Sequence, residues 1–137
     1  MELAILLSTY NGMNYLEEQV SSLLAQTYTD WKLYIRDDAS TDNTLALIHE
    51  LAGRDSRIIV MPSSRNLGAK EGFMWMLRNV EADYYMFCDH DDVWLPRKVE
   101  LTLKRMQEAE AEHSGSPVIA CTNLKLVDAK LNVFAES

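Results

Sequence analysis

Leu3-Ala4-Ile5-Leu6-Leu7 is an unbroken apolar run that passes without a spacer into the polar stretch Ser8-Thr9-Tyr10-Asn11-Gly12. A short apolar run closed in this way predicts a strand buried on both faces. The pattern recurs downstream. Trp31 to Ile35 predicts a second strand that ends in Arg36-Asp37-Asp38-Ala39-Ser40-Thr41-Asp42, and Tyr84 to Cys88 predicts one that ends in Asp89-His90-Asp91-Asp92. Arg57 to Met61, stopped by Pro62, predicts a strand, as does Val118 to Cys121 after the turn-like Ser114-Gly115-Ser116-Pro117. Between these runs apolar residues recur at helical spacing. Leu16, Val20, Leu23 and Leu24 predict a helix over 14–26, and Leu45, Ile48 and Ala52 predict one opened by the capping-prone Ser40 and Thr41. Phe73, Met76, Leu77 and Val80 mark a third helix, and Val99, Leu103 and Met106 mark a fourth with Pro96 as its first residue.

Alternating strands and helices connect through right-handed crossovers into a mostly parallel sheet covered on both faces, a three-layer α/β/α domain. Ligands of such sheets bind outside the carboxyl ends of the strands. The polar clusters after strands one, two and four therefore fall on one edge. At 137 residues, with 47% hydrophobic and 25% charged residues, the chain has the balance of one ordinary globular domain. No internal repeat or linker divides it, so residues 1–137 are expected to form a single domain. The charge is 13 basic against 21 acidic residues, or −8, which argues against a nucleic-acid partner read through a basic face. The longest apolar run is too short to span a bilayer, and no basic leader precedes Leu3, so a cytoplasmic location is expected. Cys88 and Cys121 lie in apolar, strand-like runs and are expected to be buried, reduced thiols.

Three carboxylates within Asp89-His90-Asp91-Asp92 repel one another unless a cation or solvent separates them. A solvated turn with Asp92 at a helix start explains them as well as a Mg²⁺ or Mn²⁺ site does. Their delivery to the ligand edge by an apolar strand favours the metal. Capping accounts for Ser40, Thr41 and Asp42 but not for the consecutive acids Asp37 and Asp38. A calcium-loop reading from Asp38 fails, since its sixth position is Asn43 and its twelfth is His49. The glycines are never two apart, which excludes a dinucleotide fingerprint, and there is no Walker loop. Asn66-Leu67-Gly68 before the third helix reads as a plain turn, with backbone amides near an anion as the weaker alternative. His49 and His113 read as surface residues and His90 as a neighbour of the site; Met74, Met76, Met86 and Met106 read as core packing.

Leu7-Ser8-Thr9-Tyr10-Asn11, Leu24-Ala25-Gln26-Thr27-Tyr28, Asp37-Asp38-Ala39-Ser40-Thr41-Asp42, Asn66-Leu67-Gly68 and Asp89-His90-Asp91-Asp92-Val93-Trp94 occur in one order. That series resembles the nucleotide-sugar half of family-two glycosyltransferases, which have the Rossmann-like GT-A fold. The resemblance implies that Ser8, Thr9 and Tyr10 line the nucleotide base, with Tyr10 as the stacking face. It implies that Asp38 accepts the base's imide N–H, favouring UDP- or dTDP-linked sugars, and that Lys70 lies near the donor. Asp89 and Asp91 match the acids of the family's DxD motif, Asp89 facing the ribose and Asp91 the metal, with Asp92 as a helper for a Mg²⁺ or Mn²⁺ ion.

His90 departs from the small or amide residues common at its place in the family. Family members are also longer, and their catalytic Asp or Glu base comes after the fifth strand; neither Asp128 nor Glu136 sits in a recognisable base motif. The chain is thus expected to be a donor-binding half whose base lies beyond Ser137. The resemblance further implies an inverting transfer to a glycan or lipid-linked acceptor in bacterial polysaccharide or cell-wall synthesis, with peripheral association of the full-length protein at the inner face of the membrane. The Asp-Asp-Val-Trp-Leu-Pro stretch resembles rhamnosyltransferase-like members. The rival readings are a metal-dependent α/β phosphotransfer domain and a non-enzymatic nucleotide-binding module. The first needs an acid at the end of strand one, where Ser8-Thr9 stands; lack of metal-dependent ligand affinity would favour the second.

Overall fold

The protein is described here from a computed structural model, which covers residues 1–136. It divides into two compact units, Met1–Arg97 and Lys98–Ser137. In the first, strands β1 (Leu3–Thr9), β2 (Lys32–Asp37), β3 (Ile58–Val60) and β4 (Tyr84–Asp89) alternate with helices α1 (Leu16–Leu24), α2 (Thr44–Arg54) and α3 (Ala69–Asn79). The strands form one four-stranded parallel sheet in the order β3-β2-β1-β4. The chain moves from β1 outward to β2 and β3, then crosses back to place β4 on the other side of β1. That reversal puts a topological switch point between β1 and β4, where open α/β sheets form their ligand crevice.

β1 is buried along its whole length, as its apolar run demands, because both of its faces are covered. Side chains alternate across the pleat. Ala4 and Leu6 pack with Met76 and Val80 of the α3 segment, flanked by the partly buried Tyr34, Phe73, Trp75 and Tyr85. Leu3, Ile5 and Leu7 point to the opposite face. The buried α1 and α2 residues Leu16, Val20, Leu23, Ile48 and Leu51 complete the core. Register matters for function: Ser8 lies beside both Arg36 and Asp89, and Thr9 lies beside Asp37, so the three polar clusters leave the sheet side by side.

In the second unit, α4 (Lys98–Glu112) buries Val99 and Leu103. It starts two residues after Pro96, which lies in a turn instead of opening the helix. The strand expected over Val118–Cys121 does not form, and Ile119 is 87% exposed. A run of four residues buries too little to stay extended without a ladder partner. An antiparallel pair, β5 (Lys125–Val127) and β6 (Val133–Glu136), follows it. Its turn is organised by Asp128, whose carboxylate accepts the N–H groups of Lys130 and Asn132. Cys88 is buried as expected, but Cys121 is exposed, because the strand that would have buried it is absent. Met76 is fully buried, whereas Met74 on the same helix faces outward. No helix among the described residues is long and apolar enough to cross a membrane. Met76→Ala, which empties the centre of the α3 face, is expected to destabilise the protein by about 2–4 kcal/mol, measured by urea unfolding.

Candidate functional site

Asp37 and Asp38 leave β2 in opposite directions and do different work. The Asp37 carboxylate accepts the Ser40 backbone N–H at 3.0 Å and the Ser40 hydroxyl at 2.5 Å, closing a tight local turn. Asp38 reaches across to the segment before α3. Its Oδ1 accepts Arg36 Nη1 at 2.6 Å and the Leu67 N–H at 2.7 Å, and its Oδ2 accepts the Gly68 N–H at 2.9 Å. The backbone amides of Leu67 and Gly68 therefore do hold an anion, and the anion is the protein's own side chain. Gly68 has φ +79°, a left-handed backbone that glycine adopts without strain and that turns its N–H toward the carboxylate. Three of about four lone-pair positions of the buried Asp38 carboxylate are thus taken, leaving one on Oδ2.

Arg36 is the partner that sequence reading passed over as the end of a strand. It is 2% exposed, and besides Asp38 it donates to the Arg65 carbonyl at 2.9 Å and stacks 5.5 Å from the Trp75 ring. Gly72 makes room for this arrangement, since a Cβ there would lie 3.1 Å from Ser8 Oγ and 3.6 Å from Arg36 Nη1. Burial alone would raise the Asp38 pKa, but the Leu67 N–H, the Arg36 guanidinium and the Gly68 N–H outweigh it and hold the carboxyl below its usual range.

The first and second polar clusters are joined directly. Asn11 accepts the Thr41 N–H at 2.8 Å and donates its own N–H to Ser40 Oγ, while the Gly12 N–H donates to Thr44 Oγ1. Ser40 and Thr41 thus tie loops together instead of opening α2. The helix begins at Thr44, whose N–H is accepted by Asp42. Asn11 and Ala39 both sit at positive φ, 49° and 63°, so each joined loop carries a backbone conformation that a non-glycine residue adopts at a cost.

The third cluster meets the first at Gly12. A Cβ on Gly12 would lie 2.6 Å from Thr9 Oγ1 and 3.0 Å from the His90 ring, so His90 packs against the backbone of the Tyr10–Gly12 loop. Thr9 is 1% exposed, and its hydroxyl has no hydrogen-bond partner among the described residues. Ser8 is buried on the α3 side, whereas Tyr10 presents its ring to solvent at the strand end. Asp89, Asp91 and Asp92 are exposed beside it, as is Lys70 in the first turn of α3. The structure therefore brings Ser8, Thr9, Tyr10, Asp38 and Asp89–Asp92 to one end of the sheet. Among the described residues no hydrogen bond or ion pair joins Lys70 to them.

The glycosyl transferase family 2 model matches residues 4–125. The chain belongs to this family. It is 34% identical over 119 residues to a dTDP-rhamnosyl transferase, RfbG, of Shigella flexneri, covering 83% of this chain and 41% of that protein. It is 32% identical over 103 residues to the UDP-Glc:alpha-D-GlcNAc-diphosphoundecaprenol beta-1,3-glucosyltransferase WfgD of Escherichia coli, covering 75% of this chain and 40% of the other. The fold matches the mannosyltransferase PcManGT of Pyrobaculum calidifontis, solved with GDP-Man and Mn²⁺, at a TM-score of 0.68 and 21% identity, over 80% of this chain and 32% of that one. The α/β architecture is thus that of GT-A glycosyltransferases. The chain spans about two fifths of the length of the curated relatives it matches.

Within a family 2 site, the acids after β4 suit a divalent ion only in one form. Among the described residues no group of three or more His, Cys, Asp or Glu side chains is arranged to hold a metal by itself. Mg²⁺ and Mn²⁺ bind through one or two carboxylates and complete their shell with substrate phosphates and water. The exposed carboxylates of Asp89 and Asp91 fit an ion that arrives with a diphosphate.

Asp38→Asn leaves Arg36 buried without its counter-charge and is expected to cost about 3 kcal/mol of stability by denaturant unfolding. The folded-state pKa of Asp38 lies below the ordinary carboxylate value of about 3.9. Its contribution is therefore fully present above that value and is lost as pH falls through the lower folded value, so the variant should lack that part of the wild-type decline below about pH 4. Ala39→Gly relieves the left-handed strain and should stabilise the fold by about 1 kcal/mol in the same measurement.

Proposed function

We propose that this chain is the donor-binding part of an inverting glycosyltransferase that moves a sugar from a UDP- or dTDP-linked donor to an acceptor hydroxyl. The observation that carries the proposal is the convergence of the Tyr10–Gly12 loop, Asp38 and the Asp89–Asp92 turn at the switch point between β1 and β4. Tyr10 offers an exposed aromatic face for a base, and the remaining lone pair of Asp38 accepts an imide N–H, which uracil and thymine have and adenine and cytosine lack. Asp89 faces the ribose, Asp91 faces the metal with Asp92 as a helper, and Lys70 adds positive charge near the donor. The acidic edge cannot hold a diphosphate unaided, because carboxylates and phosphates repel. A Mg²⁺ or Mn²⁺ ion held by Asp89 and Asp91 would supply the charge that stabilises the departing nucleoside diphosphate.

The general base that deprotonates the acceptor is assigned to a carboxylate outside these 137 residues, supported by the greater length of the matched relatives. The WfgD name, which specifies a diphosphoundecaprenol acceptor, supports a lipid-linked acceptor and bacterial polysaccharide synthesis; work in the cytoplasm at the inner face of the membrane is part of the same proposal. The RfbG likeness supports a deoxysugar donor. A phosphotransfer role has less support, because the polar residues ending β1 are Ser8 and Thr9, with no acid to carry a phosphoryl group.

Calorimetric titration tests the reading. UDP or dTDP should bind more tightly with Mn²⁺ than in EDTA, and ADP should bind weakly in both. Asp91→Asn should remove the Mn²⁺-dependent gain while leaving binding in EDTA unchanged. Equal UDP affinity with and without the ion would refute the metal assignment, and a preference for ADP would refute the base assignment.

A further inference from the structure

The acidic turn is held at both of its ends by α1 and the residues that leave it. Gln19, fully buried in the middle of the helix, donates its Nε2 to the thiol of Cys88, the residue immediately before Asp89. Ser22, one turn further, accepts the Trp94 N–H on its hydroxyl oxygen at 3.0 Å, two residues after Asp92, and donates its proton to the Gln19 carbonyl at 2.7 Å. Gln26, 4% exposed, donates from Nε2 to the Leu95 carbonyl at 2.8 Å and to the Ser22 carbonyl at 3.1 Å. The Thr27 N–H donates to the Pro96 carbonyl at 2.8 Å.

None of this is needed to form α1, whose apolar stripe of Leu16, Val20 and Leu23 already packs into the core. Buried polar side chains are costly unless their hydrogen bonds are made. Here those bonds are spent on the two ends of one exposed segment that bears three mutually repelling carboxylates. A turn so charged would relax outward if its ends were free.

We propose that Gln19, Ser22 and Gln26 are positioning residues for the donor site: they clamp the entry and exit of the Asp89–Trp94 segment so that Asp89 and Asp91 stand together where a divalent ion and a diphosphate meet. The proposal rests on the reading of those acids given above. It gives Gln26 and Thr27 a role at the acidic turn, although neither is assigned to the donor.

The test compares the wild-type chain with Ser22→Ala and Gln26→Met, which each delete one tie, and Ser22→Thr, which keeps the hydroxyl. For each, the ratio of the UDP dissociation constants in EDTA and in Mn²⁺ is measured by calorimetry, and amide exchange is followed at Trp94 and along β1. Ser22→Ala and Gln26→Met are expected to lower the ratio by about tenfold, as loss of a group that orients metal ligands does, with binding in EDTA unchanged. Exchange should accelerate in segment 89–95 while β1 stays protected, and Ser22→Thr should restore the wild-type ratio. An unchanged ratio in both deletion variants would overturn the proposal, as would an equal loss of UDP affinity with and without Mn²⁺, which marks general loosening. A wild-type ratio of one would overturn the metal assignment and the clamp with it, and is told apart because the failure already appears before any substitution.

Discussion

The buried ion pair between Arg36 and Asp38 is the constraint on which the site depends. A guanidinium taken out of water needs its charge balanced. Asp38 balances that of Arg36, the Arg65 carbonyl accepts a second N–H and the Trp75 ring stacks on it, while Nε has no partner among the described residues. The same carboxylate then draws in the amides of Leu67 and Gly68. One acid thus fixes the end of β2, the segment that leads into α3 and the place where α3 begins. Gly72 allows the helix to come close enough for the arrangement to shut.

From this anchor the remaining loops are joined in series. Asp37 closes the turn that presents Ser40, Ser40 and Thr41 bond to Asn11, and Gly12 packs under His90. Polar residues that would be read singly as helix caps or solvated turns form one connected layer over the carboxyl ends of β1, β2 and β4. Such a layer holds loops in unfavourable backbone conformations, as at Asn11 and Ala39, because hydrogen bonds from several segments over-determine them. The acids of the third cluster, by contrast, are left exposed at the edge. Charge balanced inside the protein at Asp38 and charge displayed at Asp89, Asp91 and Asp92 are the two halves of the site's electrostatics.

Much of this was legible in the residues. Apolar runs at 3–7, 31–35, 57–61 and 84–88 and the helical spacing between them specify a parallel sheet, because side-chain periodicity is a local property of the backbone. The rule that parallel strands deliver ligands to their carboxyl ends then locates the edge. The Val118–Cys121 run carries the same local signal and yet forms no strand, since a strand exists only if another one pairs with it. Cys121 is exposed for that reason.

What the sequence determined by itself was the order of the elements, the edge on which the polar clusters gather and the family motifs they carry. What only the tertiary structure decided was the partner of each charge. Asp37 bonds three residues away, Asp38 bonds both Arg36 two residues away and the Leu67 and Gly68 amides about thirty away, and the ties from Gln19 and Gln26 to the acidic turn span 69 positions. Consecutive aspartates look alike in a sequence. They are told apart by the direction in which the pleat sends each side chain and by what the folded chain has placed there to receive it.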